Sequence, residues 1–137
     1  MSYLIDSGYL YAQVNGKDLS HFAVRSVRLN ENEPIILPVP AITEITFLLQ
    51  RDLGHHAVWE FVDTLAETDL LLESPQPSDY QRATEVLRTY SDANIDFVDA
   101  CIVAMAERLN ITKILTIDRR HFSIFRPKHC NTFEILP

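Results

Sequence analysis

Asp96-Phe97-Val98-Asp99-Ala100-Cys101-Ile102-Val103-Ala104-Met105-Ala106-Glu107-Arg108-Leu109 is followed, after a short break, by Lys113-Ile114-Leu115-Thr116-Ile117-Asp118. Between Phe97 and Ala106 the only charge is Asp99, and a helix that is apolar nearly all round is a buried central helix. The run at 113–117 is a short β-rich strand that ends on a carboxylate. At the start of the chain the same pattern recurs, where Tyr3-Leu4-Ile5 leads into Asp6-Ser7. An acid in that position stands where a parallel strand meets its loop, and in open α/β sheets ligands bind at that carboxyl edge.

Working outward, the chain predicts a strand at 2–5, a short helix at 7–13, a turn at Asn15-Gly16 and helical periodicity over 18–31. Ile35-Ile36-Leu37 reads as a second strand stopped by Pro38 and Pro40. Apolar helices follow at 41–52 and, after Gly54, at 55–67. Leu70-Leu71-Leu72 reads as a third strand, and Ser78 as the N-cap of a helix over 79–90. A helical turn at 119–122 and a strand at 132–135 close the pattern. Strands alternating with helices imply a parallel sheet covered on both faces. No repeat, linker or low-complexity stretch divides the chain, so residues 1–137 are expected to form one domain.

Hydrophobic residues make up 47% of the chain, charged residues 23%, and there are only 3 glycines. That is a globular composition. No apolar run approaches the ~20 residues of a membrane span, and the N-terminus lacks the basic and apolar regions of a signal peptide. Cys101 and Cys130 are the only cysteines, and they read as reduced thiols of a cytoplasmic protein. The net charge of -7 argues against a generic nucleic-acid binder, but it is unevenly spread. Residues 113–129 hold Lys113, Arg119, Arg120, Arg126 and Lys128 against the single acid Asp118, a balance of +4 that leaves -11 elsewhere. Such a segment beside an acidic centre could hold a polyanion's backbone, and it could equally be a solvated loop.

Asp6, Glu44, Asp99 and Asp118 are the candidate ligands of a hard divalent cation, because a lone carboxylate on an apolar segment is costly unless paired or bound to metal. Each has a purely structural alternative. Asp6, Asp96 and Asp118 can cap the helices that follow them, and a first-turn Glu44 can belong to a capping box. Capping accounts well for Asp96 and less well for Asp99, which core residues flank on both sides. The joint coincidence of four such acids on one sheet edge is harder to explain by capping.

These residues carry a resemblance to the PIN-domain nucleases, particularly the toxins of VapBC-type toxin–antitoxin modules. It spans nearly the whole chain and rests on Tyr3-Leu4-Ile5-Asp6-Ser7, Ala41-Ile42-Thr43-Glu44-Ile45, Tyr90-Ser91-Asp92 leading into Asp96-Phe97-Val98-Asp99-Ala100, and Ile114-Leu115-Thr116-Ile117-Asp118-Arg119-Arg120-His121-Phe122. The resemblance implies a three-layer α/β/α fold with a five-stranded parallel sheet of order 3-2-1-4-5. It implies Mg2+- or Mn2+-dependent hydrolysis of RNA phosphodiester bonds, with Asp6, Glu44, Asp99 and Asp118 as metal-binding and catalytic acids and Asp96 as a candidate fifth. Ser7 and Thr116 match the small hydroxyl residues near the metal, and Arg119, Arg120, Arg126 and Lys128 are the candidate RNA contacts. An antitoxin partner and a homodimer are implied as well. Gly8 departs from the usual Asp-Thr/Ser-Asn opening, so the polar contact from that position is missing. The stretch Asn15 to His21 resembles a PIN branch often described only as predicted to bind nucleic acid.

Other chemistries are excluded or weak. No GxGxxG or P-loop occurs, and a haloacid-type phosphatase would need an acid where Gly8 stands. His21, His55 and His56 lack partners at zinc-like spacing. Trp59 and Phe61 fit a helix core or interface better than a base-stacking platform. Two function classes remain: a metal-dependent ribonuclease, and a PIN-fold binding module whose acidic surface suits a basic protein partner.

Overall fold

The computed structural model describes residues 1–137 as five short strands and seven helices. The strands are β1 (Tyr3–Ile5), β2 (Ile35–Pro38), β3 (Leu71–Glu73), β4 (Lys113–Leu115) and β5 (Glu134–Leu136). The helices are α1 (Ser7–Val14), α2 (His21–Arg25), α3 (Val39–Leu53), α4 (His55–Leu65), α5 (Pro77–Thr89), α6 (Phe97–Leu109) and α7 (Arg119–Ile124). All pairings are parallel and the sheet order is β3-β2-β1-β4-β5, as the resemblance implies. With right-handed crossovers, helices after β1 and β2 cover one face and those after β3 and β4 the other.

The core runs through β1 and β4, where Leu4, Ile5, Ile114 and Leu115 are essentially inaccessible, and against α6, whose residues Val98 to Ala106 are all buried. β1 leaves toward β2 on one side and β4 toward β5 on the other, so the strand order reverses between them. The carboxyl ends of these two strands therefore form the topological switch point, the edge at which ligands bind in open α/β sheets.

Four local differences from the sequence reading have physical causes. The helix anticipated at 18–31 is confined to α2, and at the far end of the stretch the Asn32 N–H bonds Asn30 Oδ1 at 3.0 Å, a local side-chain contact that favours a turn over helix there. Val27 and Leu29 still pack on the core, but outside any helix or strand. α3 begins at Val39, two residues early, since Pro40 sits in its first turn, where a missing N–H costs nothing. α5 is capped by Gln76 and not by Ser78: Pro77 takes the first helical position, and the Asp79 carboxylate accepts the Gln76 N–H at 2.8 Å. The closing strand lies at 134–136 in place of 132–135, in register with β4. No helix is long and apolar enough to cross a membrane, and both cysteines are free thiols.

Candidate metal centre

Asp6 follows β1 directly and is the N-cap of α1. Its Oδ1 accepts the Ser7 N–H at 2.8 Å, with the Ser7 hydroxyl at 3.4 Å. Its Oδ2 accepts from Thr116 Oγ1 at 2.8 Å, across the switch point. The same Thr116 oxygen accepts the Asp118 N–H at 3.0 Å, so one hydroxyl ties both strand-end acids together. Thr116 is fully buried and lies just past β4, not within it.

Asp96 and Asp99 form a reciprocal capping box at the start of α6, with Asp99 N–H to Asp96 Oδ1 at 2.9 Å and Asp96 N–H to Asp99 Oδ2 at 3.1 Å. Asp118 is the N-cap of α7, and both its oxygens are held by one residue: Oδ1 accepts the His121 N–H at 3.0 Å, and Oδ2 accepts from His121 Nδ1 at 2.8 Å. His121 Nδ1 also stands 4.0 Å from Asp99 Oδ2. The ligand atoms of Asp99, Asp118 and His121 lie within 4.8 Å of one another.

Glu44 is not a capping residue. With α3 starting at Val39 it is the sixth helical residue, beyond the first turn, and that turn contains no acid. Burial, and the repulsion of Asp96, push its carboxyl above the ordinary range. Burial likewise raises Asp6 to about 6, offset by the hydrogen bonds from Thr116 and Ser7 and reinforced by Glu44 and Asp96. Asp99 is raised further, to about 8, chiefly by burial and then by repulsion from Asp96, Asp6 and Asp118. Repulsion links Asp6, Glu44, Asp96, Asp99 and Asp118 with one another, while the tight group of possible ligand atoms is that of Asp99, Asp118 and His121. Capping and convergence are compatible here because α1, α6 and α7 all begin at this edge, and helix N-termini favour negative charge.

The sequence reading did not assign a role to His121. Its signal was the Asp118-x-x-His121 spacing, which turns a helix residue back onto its own N-cap. The basic segment is less of a unit than its composition suggests. Lys113 lies at the amino end of β4, paired with Glu33 and set over the Tyr3 ring. Arg119 donates to the Pro137 and Ile135 carbonyls, and Arg126 to those of Ser123 and Phe125. Lys128 reaches Glu85 at 3.6 Å. Arg120 is exposed and makes no side-chain bond. At the departed position, a Cβ on Gly8 would come 3.3 Å from Ile117 Cγ1, so Ile117 covers the space that a polar side chain there would use. His55 and His56 are exposed, while His21 Nδ1 donates to the Ala12 carbonyl at 2.7 Å. Phe61 is core and Trp59 half exposed.

Carboxylate oxygens grouped at one strand edge are suited to a hard divalent cation, which would neutralise them. A strand-edge acid centre at the switch point of a 3-2-1-4-5 sheet defines the class of protein, and comparison with known proteins agrees. The PIN domain family model matches residues 3–126. The chain belongs to the PIN domain family. It is 27% identical over 134 residues to Ribonuclease VapC26 of Mycobacterium tuberculosis, covering 98% of this chain and 99% of that protein. Its fold is similar to that of Mycobacterium tuberculosis VapC20, described as a Sarcin-Ricin loop cleaving toxin (TM-score 0.79, 20% identity, 87% of this chain and 92% of the other). It is also similar to a chain of Rickettsia felis VapBC2 bound to a promoter DNA fragment (TM-score 0.71, 16% identity, all of both chains).

Proposed function

We propose that this chain is a divalent-metal-dependent endoribonuclease and the toxin member of a toxin–antitoxin pair. The observation that carries the reading is the acid edge itself: Asp6 and Asp99 are buried, Thr116 ties Asp6 to Asp118, and the ligand atoms of Asp99, Asp118 and His121 lie within 4.8 Å of one another. Buried carboxylates facing other carboxylates are costly, and a bound cation would offset that cost.

In this reading Asp6, Glu44, Asp99 and Asp118 hold Mg2+ or Mn2+, with Asp96 as an outer acid. The cation, when bound, neutralises the acids and stabilises charge on the phosphodiester as it is cleaved. Thr116 and Ser7 fix the Asp6 carboxylate, and His121 fixes that of Asp118, so the ligands do not have to reorganise. Asp99, or Asp118, is the acid placed to orient the attacking water or take its proton. Arg119, Arg120, Arg126 and Lys128 are the proposed contacts to the RNA backbone, with Arg120 the one whose side chain is uncommitted. The matched relatives support an antitoxin partner, and a homodimer in the cytoplasm is part of the same proposal.

Incubation of the Asp6→Asn and Asp99→Asn variants with RNA and Mn2+ tests the reading. Loss of cleavage with retained fold is expected, and undiminished metal-dependent cleavage would overturn it. The balance of -11 outside residues 113–129 favours a second reading, a binding module for a basic protein. No heat of Mn2+ binding, together with firm binding of the neighbouring gene's product, would select that alternative.

A further inference from the structure

In the stretch from Phe97 to Ala106, which the sequence pattern assigns wholly to the core, Phe97 alone is left 49% exposed. Its ring lies nearly parallel to that of Tyr80 on α5, with centroids 6.3 Å apart and planes 6° from coplanar, and Tyr80 is 48% exposed. Phe97 is the first helical residue of α6, directly between the N-cap Asp96 and the third-position Asp99. Phe97 therefore emerges from the same turn as Asp96 and Asp99, and Tyr80 joins it from the neighbouring helix α5. About half of each ring stays in water, where large aromatics gain nothing from burial.

We propose that Tyr80 and Phe97 form a stacking platform for an unpaired nucleobase beside the scissile phosphate of a single-stranded RNA. The inference rests on the reading of the acid site as a nuclease centre. Unstacked bases of single strands are taken up on aromatic side chains, and stacking tolerates any base because each has a π-face. A base seated on Phe97 would bring its own backbone toward Asp96 and Asp99, whose repulsion a bound cation would offset. Stacking also supplies affinity that needs no positive charge, which suits a surface as acidic as this one. A second copy of the chain fits less well. Burying the two rings in a dry interface would enclose the exposed Asp96 and its neighbour Asp99, and unpaired carboxylates are depleted from interface cores because desolvating them is costly.

The test compares the parent with F97A, F97L, F97W and Y80A, each checked for fold by circular dichroism. Two readouts are taken on a short fluorescein-labelled single-stranded RNA: cleavage kinetics with Mn2+, and binding anisotropy with Ca2+ in its place. F97A and F97L should weaken binding and raise KM by about 5- to 150-fold, the usual range for one stacked base, with kcat moved less. F97W should restore both. Removing the base beside the cleaved bond should produce the same loss in the parent and none further in F97L. Binding by F97L equal to the parent's overturns the proposal, as does an equal F97L defect on the abasic strand. A dimer that F97L converts to monomer, with RNA binding unchanged, assigns the rings to a self-interface and overturns it too. If the parent binds but cuts nothing, the nuclease reading fails by itself and the anisotropy of F97L still decides the platform.

Discussion

Thr116 and Asp6 stand 110 residues apart in the chain, yet Thr116 Oγ1 donates to Asp6 Oδ2 at 2.8 Å while accepting the Asp118 N–H at 3.0 Å. One buried hydroxyl thus sets the geometry of both strand-end acids. Replacing it with the isosteric Thr116→Val leaves the Asp118 N–H and the Asp6 carboxylate each short of a partner. A loss of about 1–3 kcal/mol in denaturant unfolding is expected. Mn2+ affinity by calorimetry should fall about 10- to 100-fold, the usual effect of losing a group that orients a ligand. Unchanged affinity would remove Thr116 from the centre.

His121 grips both oxygens of Asp118, and the ring contact is the part that a substitution can alter. Asn presents a donor near the position of Nδ1, so H121N should keep most RNA cleavage, whereas H121L should reduce it by about 10- to 100-fold. Equal activities in the two variants would mean that the ring contact is incidental.

The raised carboxyls make the metal-free protein sensitive to alkali. Asp6 at about 6 and Asp99 at about 8 both lie above the ordinary value of 3.8, so the folded chain binds their protons more tightly than the unfolded chain. Their contribution is neutral below about pH 4 and becomes unfavourable as pH rises, through 6 for Asp6 and toward 8 for Asp99. The melting temperature in chelator should therefore fall between roughly pH 4 and 8, and D99N should flatten that slope. A melting temperature that climbs over the same interval contradicts the crowding of these acids.

Mn2+ should reverse the loss. A ligand that binds only the folded state adds about 2.7 kcal/mol at 100 times its Kd, and thermal melts near pH 8 should display it. D99N should be more stable than the parent in chelator and less responsive to Mn2+, with cleavage lowered more than about 100-fold, beyond the usual effect of an outer group.

Away from the site, Arg108 donates to Asp79 at 2.9 Å and to Glu73 at 3.2 Å, joining α6, α5 and β3. Asp79 is only 2% exposed, so Arg108→Met leaves a buried charge unpaired, at a cost of about 3–5 kcal/mol. Mn2+ binding should be unaffected below the new melting temperature.

The two apolar runs that end on Asp6 and Asp118, and the nearly uncharged helix between Phe97 and Ala106, were enough by themselves to establish a parallel α/β sheet and to single out its acids, because burial dictates composition. Capping chemistry was legible for the same reason: Asp6, Asp96 and Asp118 each precede a helix that needs an N-terminal acceptor. What lay beyond the one-dimensional pattern was the pairing of distant groups. The hydroxyl of Thr116 meets Asp6 only because β1 and β4 are neighbours at the switch point. Phe97 is left in water because it lies at the end of its helix, and its partner Tyr80 comes from a different one. The reach of His121 back to Asp118 likewise depends on a helical turn that starts at the cap itself. Composition and periodicity report how much of each element is buried. Which charges then face one another, and how far their protons are held above the ordinary range, depends on distances that only the packed chain defines.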